Sequence, residues 1–64
     1  SDLLHIVAVY HANILTIHQS IPVNGVATLT LSVEVLESTG NVSRMVEDME
    51  EKHGVHYVKI LARE

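Results

Sequence analysis

Cysteine is absent from the chain, and so are phenylalanine and tryptophan. The first absence excludes disulfides and thiolate metal sites. The second leaves Tyr10 and Tyr57 as the aromatic residues, too few for a base-stacking platform. Basic residues are scarce: 4 lysines and arginines against 8 acids give a formal charge of −4. That is the wrong sign for a nucleic-acid or anionic-membrane partner, and neither is expected. No apolar run approaches the roughly 20 residues of a membrane span. The opening residues also lack the basic, apolar and small-residue succession of a signal peptide. A cytoplasmic module is the expectation.

What is present is apolar. The chain is 47% hydrophobic and 19% charged, too greasy for a disordered tail. Its 64 residues allow one domain, residues 1–64. A lone domain of that size buries only about 60% of the surface its unfolded chain exposes. Without disulfides, support is expected from association or from further sequence.

Ser1 can cap a first helix, with Asp2 at the positive end of its dipole. Leu3, Ile6, Val7 and Tyr10 fall at i, i+3, i+4 and i+7, the stripe of an amphipathic helix that Leu4 and Ala8 widen. The β-branched residues lower its propensity, and a strand through Ile6–Tyr10 is the alternative. From Asn13 to Ile21 the period changes to two: Leu15, Ile17 and Ile21 on one face, Thr16, His18 and Ser20 on the other. Pro22 ends that strand, and Asn24-Gly25 suits a tight hairpin turn. Val26 to Val35 alternates next, with Ala27, Leu29, Leu31, Val33 and Val35 inward.

Asn41 can cap a second helix, whose Val42, Met45, Val46 and Met49 should face the sheet. Glu47, Asp48, Glu50 and Glu51 should face solvent, with Arg44–Asp48 and Asp48–Lys52 spaced for ion pairs. Gly54 is a natural helix stop. Val58, Ile60 and Ala62 then alternate as a short last strand. The order α-β-β-α-β, with helices on one sheet face, is an α+β sandwich with an antiparallel sheet.

The five histidines, His5, His11, His18, His53 and His56, come from different elements and match no metal-ligand spacing. His18 with Thr16 on the outward strand face is a ligand-contact candidate, set beside the plainer reading that polar residues belong on a solvated sheet face. Gly25, Gly40 and Gly54 all sit at turns, which leaves no phosphate cradle. Residue types and spacing thus predict no catalytic residue, no cofactor and no metal, and they leave function open.

The segments SDLLHIVAVYHANILTIHQSIPVNG and VATLTLSVEVL resemble ACT domains, small regulatory modules of amino-acid metabolism. In particular they are similar to the bacterial ACT-domain proteins linked to phenylalanine biosynthesis, some of which carry a chorismate mutase label. Ser1–Leu4 matches the S-x-L-L helix start of that group. Asn13–Pro22 matches its N-[IV]-L-[ST]-I-H-Q-[ST]-I-P strand, and Ala27–Ser32 its following strand. The resemblance covers nearly the whole chain, although the second helix is generic.

ACT domains are ferredoxin-like, β-α-β-β-α-β, with sheet order 4-1-3-2. The family's first strand, and the Gly-x-Leu effector turn after it, have no counterpart here. The resemblance therefore implies one ACT domain without its first strand. It is expected either as a fragment of a longer chain or as a chain whose gap another copy fills by swapping or edge pairing. It also implies an amino-acid effector, an aromatic one such as phenylalanine among the candidates, held by Asn13 and by backbone around Ile14. An amide offers both donor and acceptor to an amino acid's charged ends. The alternative is that Asn13 merely closes the first helix. Regulation would act through domain pairing, with a homo-oligomer as partner. Two rival functions stand beside it: an oligomerisation module without ligand, and a chorismate mutase-related enzyme. The latter would have to gather Arg44, Lys52, Lys59 and Arg63 around a dicarboxylate.

Overall fold

A computed structural model describes residues 2–61 of the chain. Ser1, as the helix cap, and Ala62 and Arg63, as a strand residue and a cation, lie outside the described residues. Helix α1 spans Asp2–Val9, strand β1 Asn13–Gln19, strand β2 Leu29–Glu34 and helix α2 Val42–Glu50. The two strands form an antiparallel sheet.

The 3.6-residue stripe places Ile6 and Val7 of α1 in the core, with Leu3 and Tyr10 half-buried beside them. The same spacing buries Met45 and Met49 of α2, flanked by Val42. Leu31 and Val33 of β2 close the cluster from the sheet side, and Val58 reaches it from the segment after α2. The Asn41 side chain accepts from the Arg44 amide at 3.1 Å, as a cap should. Helix α2 ends at Glu50, earlier than Gly54 suggests. Gly54, at φ +92°, instead shapes the turn that follows.

The Asn24-Gly25 turn forms with φ of 52° and 78°, the positive pair a tight hairpin requires, and Val23 and Val26 bond each other across it. The ladder beyond it is irregular. A regular hairpin counted outward from Asn24-Gly25 would set Leu36 opposite Asn13. The observed partner is Glu34, because β1's side carries two extra residues. One lies between Ser20, whose amide bonds the Thr28 carbonyl, and Val23, where Pro22 can donate nothing to a ladder. The other is Leu15, the bulge between the Ile14–Val33 and Thr16–Ser32 pairs. The bulge changes the phase of the strand. Ile14, not Leu15 alone, is brought to the Ile17 face through its pairing with Val33. Thr16 and His18 lie opposite Ser32 and Thr30 on the outward face, as the alternation predicts.

Three further expectations are corrected. Both strands are shorter than the alternation suggests, so Ala27 and Val35 are exposed rather than inward. Asp48 does not pair with Arg44 or Lys52 but turns inward to Tyr10. Arg44 instead approaches Glu47 at 3.9 Å, with both side chains exposed. Finally, the fifth element is missing: residues 55–61 form no strand, so the order is α-β-β-α. A strand exists only where a neighbouring edge accepts its hydrogen bonds. Here residues 54–61 and β2 line a common cleft of about 1310 Å³ rather than pairing with each other.

Candidate functional site

The position implied for an effector is the junction where α1 becomes β1. Tyr10 and His11 close the helix through bonds to the Ile6 and Ala8 carbonyls, and the Ala12 amide reaches the Val7 carbonyl at 3.3 Å. The chain reverses at His11, whose φ is 59°. Outside glycine, histidine is one of the residues enriched in that left-handed region. His11 thus performs the helix stop, and Asn13 is released to begin β1.

The loop after β2 is stitched to this junction. The Thr39 hydroxyl donates to the His11 carbonyl at 2.8 Å and accepts from the Leu36 amide at 2.8 Å. The Gly40 amide donates to the Tyr10 carbonyl at 2.9 Å. A Cβ on Gly40 would stand 3.1 Å from the Tyr10 ring, so only glycine lets the loop lie this close without displacing it. The Tyr10 hydroxyl donates to the Asp48 carboxylate. This bond, with desolvation and the Asp48 charge adding to it, holds the Tyr10 hydroxyl above its ordinary pKa of 10.0.

Asn13 lies directly opposite Glu34, and its side-chain Nδ2 donates to Glu34 Oε1 at 3.2 Å. Ile14, the next residue, pairs with Val33 at the bulge. Neither Asn13 nor Ile14 lines the cleft beside β2, but Val33 and Glu34 do. Glu34 therefore links the Asn13 position to the cleft rim. The sequence alone marks it as one of several outward polar residues, because the two extra residues on the β1 side hide its register. Leu3, Val7, Leu15, Leu31 and Met45 give the cleft an apolar floor. Among the described residues, no three histidines or carboxylates gather at metal-binding range, and no helix is long and apolar enough to cross a membrane.

The chain is 50% identical over all 64 residues to a UPF0735 ACT domain-containing protein of Lachnoclostridium phytofermentans. Over the same 64 residues it is 41% identical to one of Caldicellulosiruptor saccharolyticus and 38% identical to one of Acetivibrio thermocellus. Along its whole length, the chain is similar to UPF0735 ACT domain-containing proteins. It covers 44%, 43% and 44% of those three proteins, less than half of each. Their names carry no reference to chorismate mutase. No protein-family model matches the chain, and no solved structure matches it.

Proposed function

We propose that this chain is the effector-binding part of a regulatory ACT domain, one that binds an amino acid and acts through domain pairing. The observation that carries the reading is the similarity to ACT domain-containing proteins over the full 64 residues. Asn13 and the Ile14 backbone hold the effector, with an aromatic amino acid such as phenylalanine among the candidates. Occupancy is transmitted because the ligand binds one arrangement of paired domains better than another.

The chain does no chemistry in this reading. Arg44 is about two-thirds exposed and sits beside Glu47, a poor arrangement for gripping a dicarboxylate. Cytoplasmic location and a homo-oligomeric assembly belong to the same proposal. Isothermal titration of the natural protein at its full length with the twenty amino acids tests it. Saturable heat with at least one of them, together with a change in sedimentation, is expected. No binding by any amino acid would sink the reading. A second reading, an oligomerisation module without ligand, is favoured by the exposed aliphatic hairpin, where Ile21 is 86% and Val23 70% accessible. A tight dimer with thermal stability unmoved by every amino acid would establish that reading instead.

A further inference from the structure

The asparagines of this chain are Asn13, Asn24 and Asn41, and the first and last are held where they stand. Asn13 donates from Nδ2 to Glu34 and is followed by the β-branched Ile14. The Asn41 Oδ1 accepts from the Arg44 amide, and the β-branched Val42 after it opens α2. Asn24 differs on each count. Its successor is Gly25, and both residues are exposed. Among the described residues, neither the Asn24 side chain nor the Gly25 amide makes a hydrogen bond. Val23 and Val26 carry the bonds of the turn, at 2.8 and 3.0 Å, and leave the Asn24–Gly25 peptide between them uncommitted. A Cβ on Gly25 would meet nothing within 4 Å, so the space around its nitrogen is open. The Val23–Val26 bridge is isolated, and the Ser20–Thr28 bonds alone join it to the Gln19–Leu29 end of the ladder. A hairpin tip held so lightly opens locally at small cost.

We propose that Asn24 deamidates spontaneously in the native protein and so places a negative charge in the apolar tip of the hairpin. Solvent base removes the Gly25 amide proton, and the freed nitrogen attacks Asn24 Cγ. The bond from Cγ to the side-chain nitrogen breaks, ammonia leaves with a proton returned from solvent, and a succinimide ring remains. Water then opens the ring. Cleavage between Cγ and the ring nitrogen gives aspartate. Cleavage between the backbone carbonyl carbon and that nitrogen gives iso-aspartate, whose main chain runs through Cβ and Cγ. Overall an amide and water become a carboxylate and ammonium, with no oxidant or cofactor consumed. Glycine is the successor that favours the attack, because it sets no side chain beside the nitrogen. Aspartate keeps the turn, since Asp-Gly adopts the same positive φ pair. Iso-aspartate lengthens the backbone by one carbon and pulls the Val23–Val26 bonds apart. Either product sets a charge among the exposed Ile21, Val23 and Val26 and opposes burial of this tip against another molecule.

The test incubates the natural full-length protein, folded, at mildly alkaline pH and follows each asparagine by peptide mapping and mass spectrometry. The Asn24 peptide should gain the mass of deamidation faster than the Asn13 and Asn41 peptides by about tenfold or more, which is about 1.4 kcal/mol in barrier. Iso-aspartate, labelled by an iso-aspartyl methyltransferase, should accumulate in the same peptide. The rate should rise with pH, as the Gly25 amide loses its proton more readily. Asn24→Gln, whose longer side chain must close a larger ring, should slow ammonia release from the folded protein by a similar factor. Equal rates at Asn13, Asn24 and Asn41 would overturn the proposal. So would an Asn24 that stays intact in the folded protein while the urea-unfolded chain loses it, since the native turn would then protect the site.

Discussion

The hydroxyl of Tyr10, in the turn that closes α1, donates a hydrogen bond to the carboxylate of Asp48 on α2. The two residues are 38 positions apart, and their contact ties the helices together at the end nearest the candidate site. Asp48 is therefore half-buried at the helix contact, although its neighbours Glu47, Glu50 and Glu51 are exposed.

The Tyr10–Asp48 bond makes stability sensitive to alkali. The native state holds the Tyr10 hydroxyl above its ordinary pKa of 10.0, so folding favours the neutral phenol. Its contribution is complete below pH 10.0 and is lost as pH rises through the elevated native value. Tyr10→Phe should lower the urea midpoint at neutral pH, and its difference from wild type should shrink above the tyrosine range. Urea titrations at a series of pH values measure this. A pH-independent difference would contradict it.

The packing of Tyr10 over Gly40 predicts a coupled pair. Gly40→Ala puts a methyl group 3.1 Å from a ring that the Asp48 bond keeps in place, and should cost about 1–3 kcal/mol by overpacking. In a Tyr10→Ala background the same change should cost close to nothing, since the methyl then meets open space. A double-mutant cycle in urea reads the coupling directly.

The small core should be sensitive to truncation. Met45 is 4% exposed, and Met45→Ala should cost about 2–5 kcal/mol, a large part of the stability of a domain this size. Val9, the last residue of α1 and 56% exposed, should tolerate alanine within about 0.5 kcal/mol. Circular dichroism melts of the two variants would differ sharply if the core lies where Ile6, Val7, Met45 and Met49 place it.

The hairpin should promote association. β1 carries no lysine, arginine, acid or proline along Asn13–Gln19, and Ile21 and Val23 beyond it are largely exposed. Ile21→Lys or Val23→Lys should shift the protein toward smaller species at high concentration, with stability changed by no more than about 0.5 kcal/mol. Sedimentation at several concentrations checks it. Unchanged association in both variants would show that another surface carries it.

Much of the fold is legible in residue spacing, and the failures have identifiable causes. The stripes Leu3–Ile6–Val7–Tyr10 and Val42–Met45–Met49 name the core because helical period alone determines which side chains can meet. Asn24-Gly25 marks its turn because few other pairs tolerate two positive φ angles. The register of the hairpin is not legible, because an extra residue leaves no compositional trace. Leu15 looks like any inward leucine, and Pro22 marks an ending rather than an insertion. Those two offsets bring Glu34 rather than Leu36 to Asn13, and with it the charge at the candidate site. The last strand fails for a different reason: Val58 and Ile60 alternate correctly, but alternation describes faces and says nothing of a partner edge. Asp48 escapes notice because its acidic neighbours make the whole run look solvated.

The open far edge of β2 has a consequence for how the protein reports on itself. Successive amides of a strand point to opposite sides, so one alternate set along Leu29–Glu34 faces β1 while the other faces the side of β2 away from it. In deuterium exchange the strand should behave as a comb, with slow and fast sites interleaved residue by residue. Whatever extended backbone docks against this edge will slow the fast teeth and leave the slow ones nearly unchanged. A small molecule resting only on the apolar floor will not produce that pattern. The strand is thus its own recorder of whether the cleft has been filled by a chain or by a ligand.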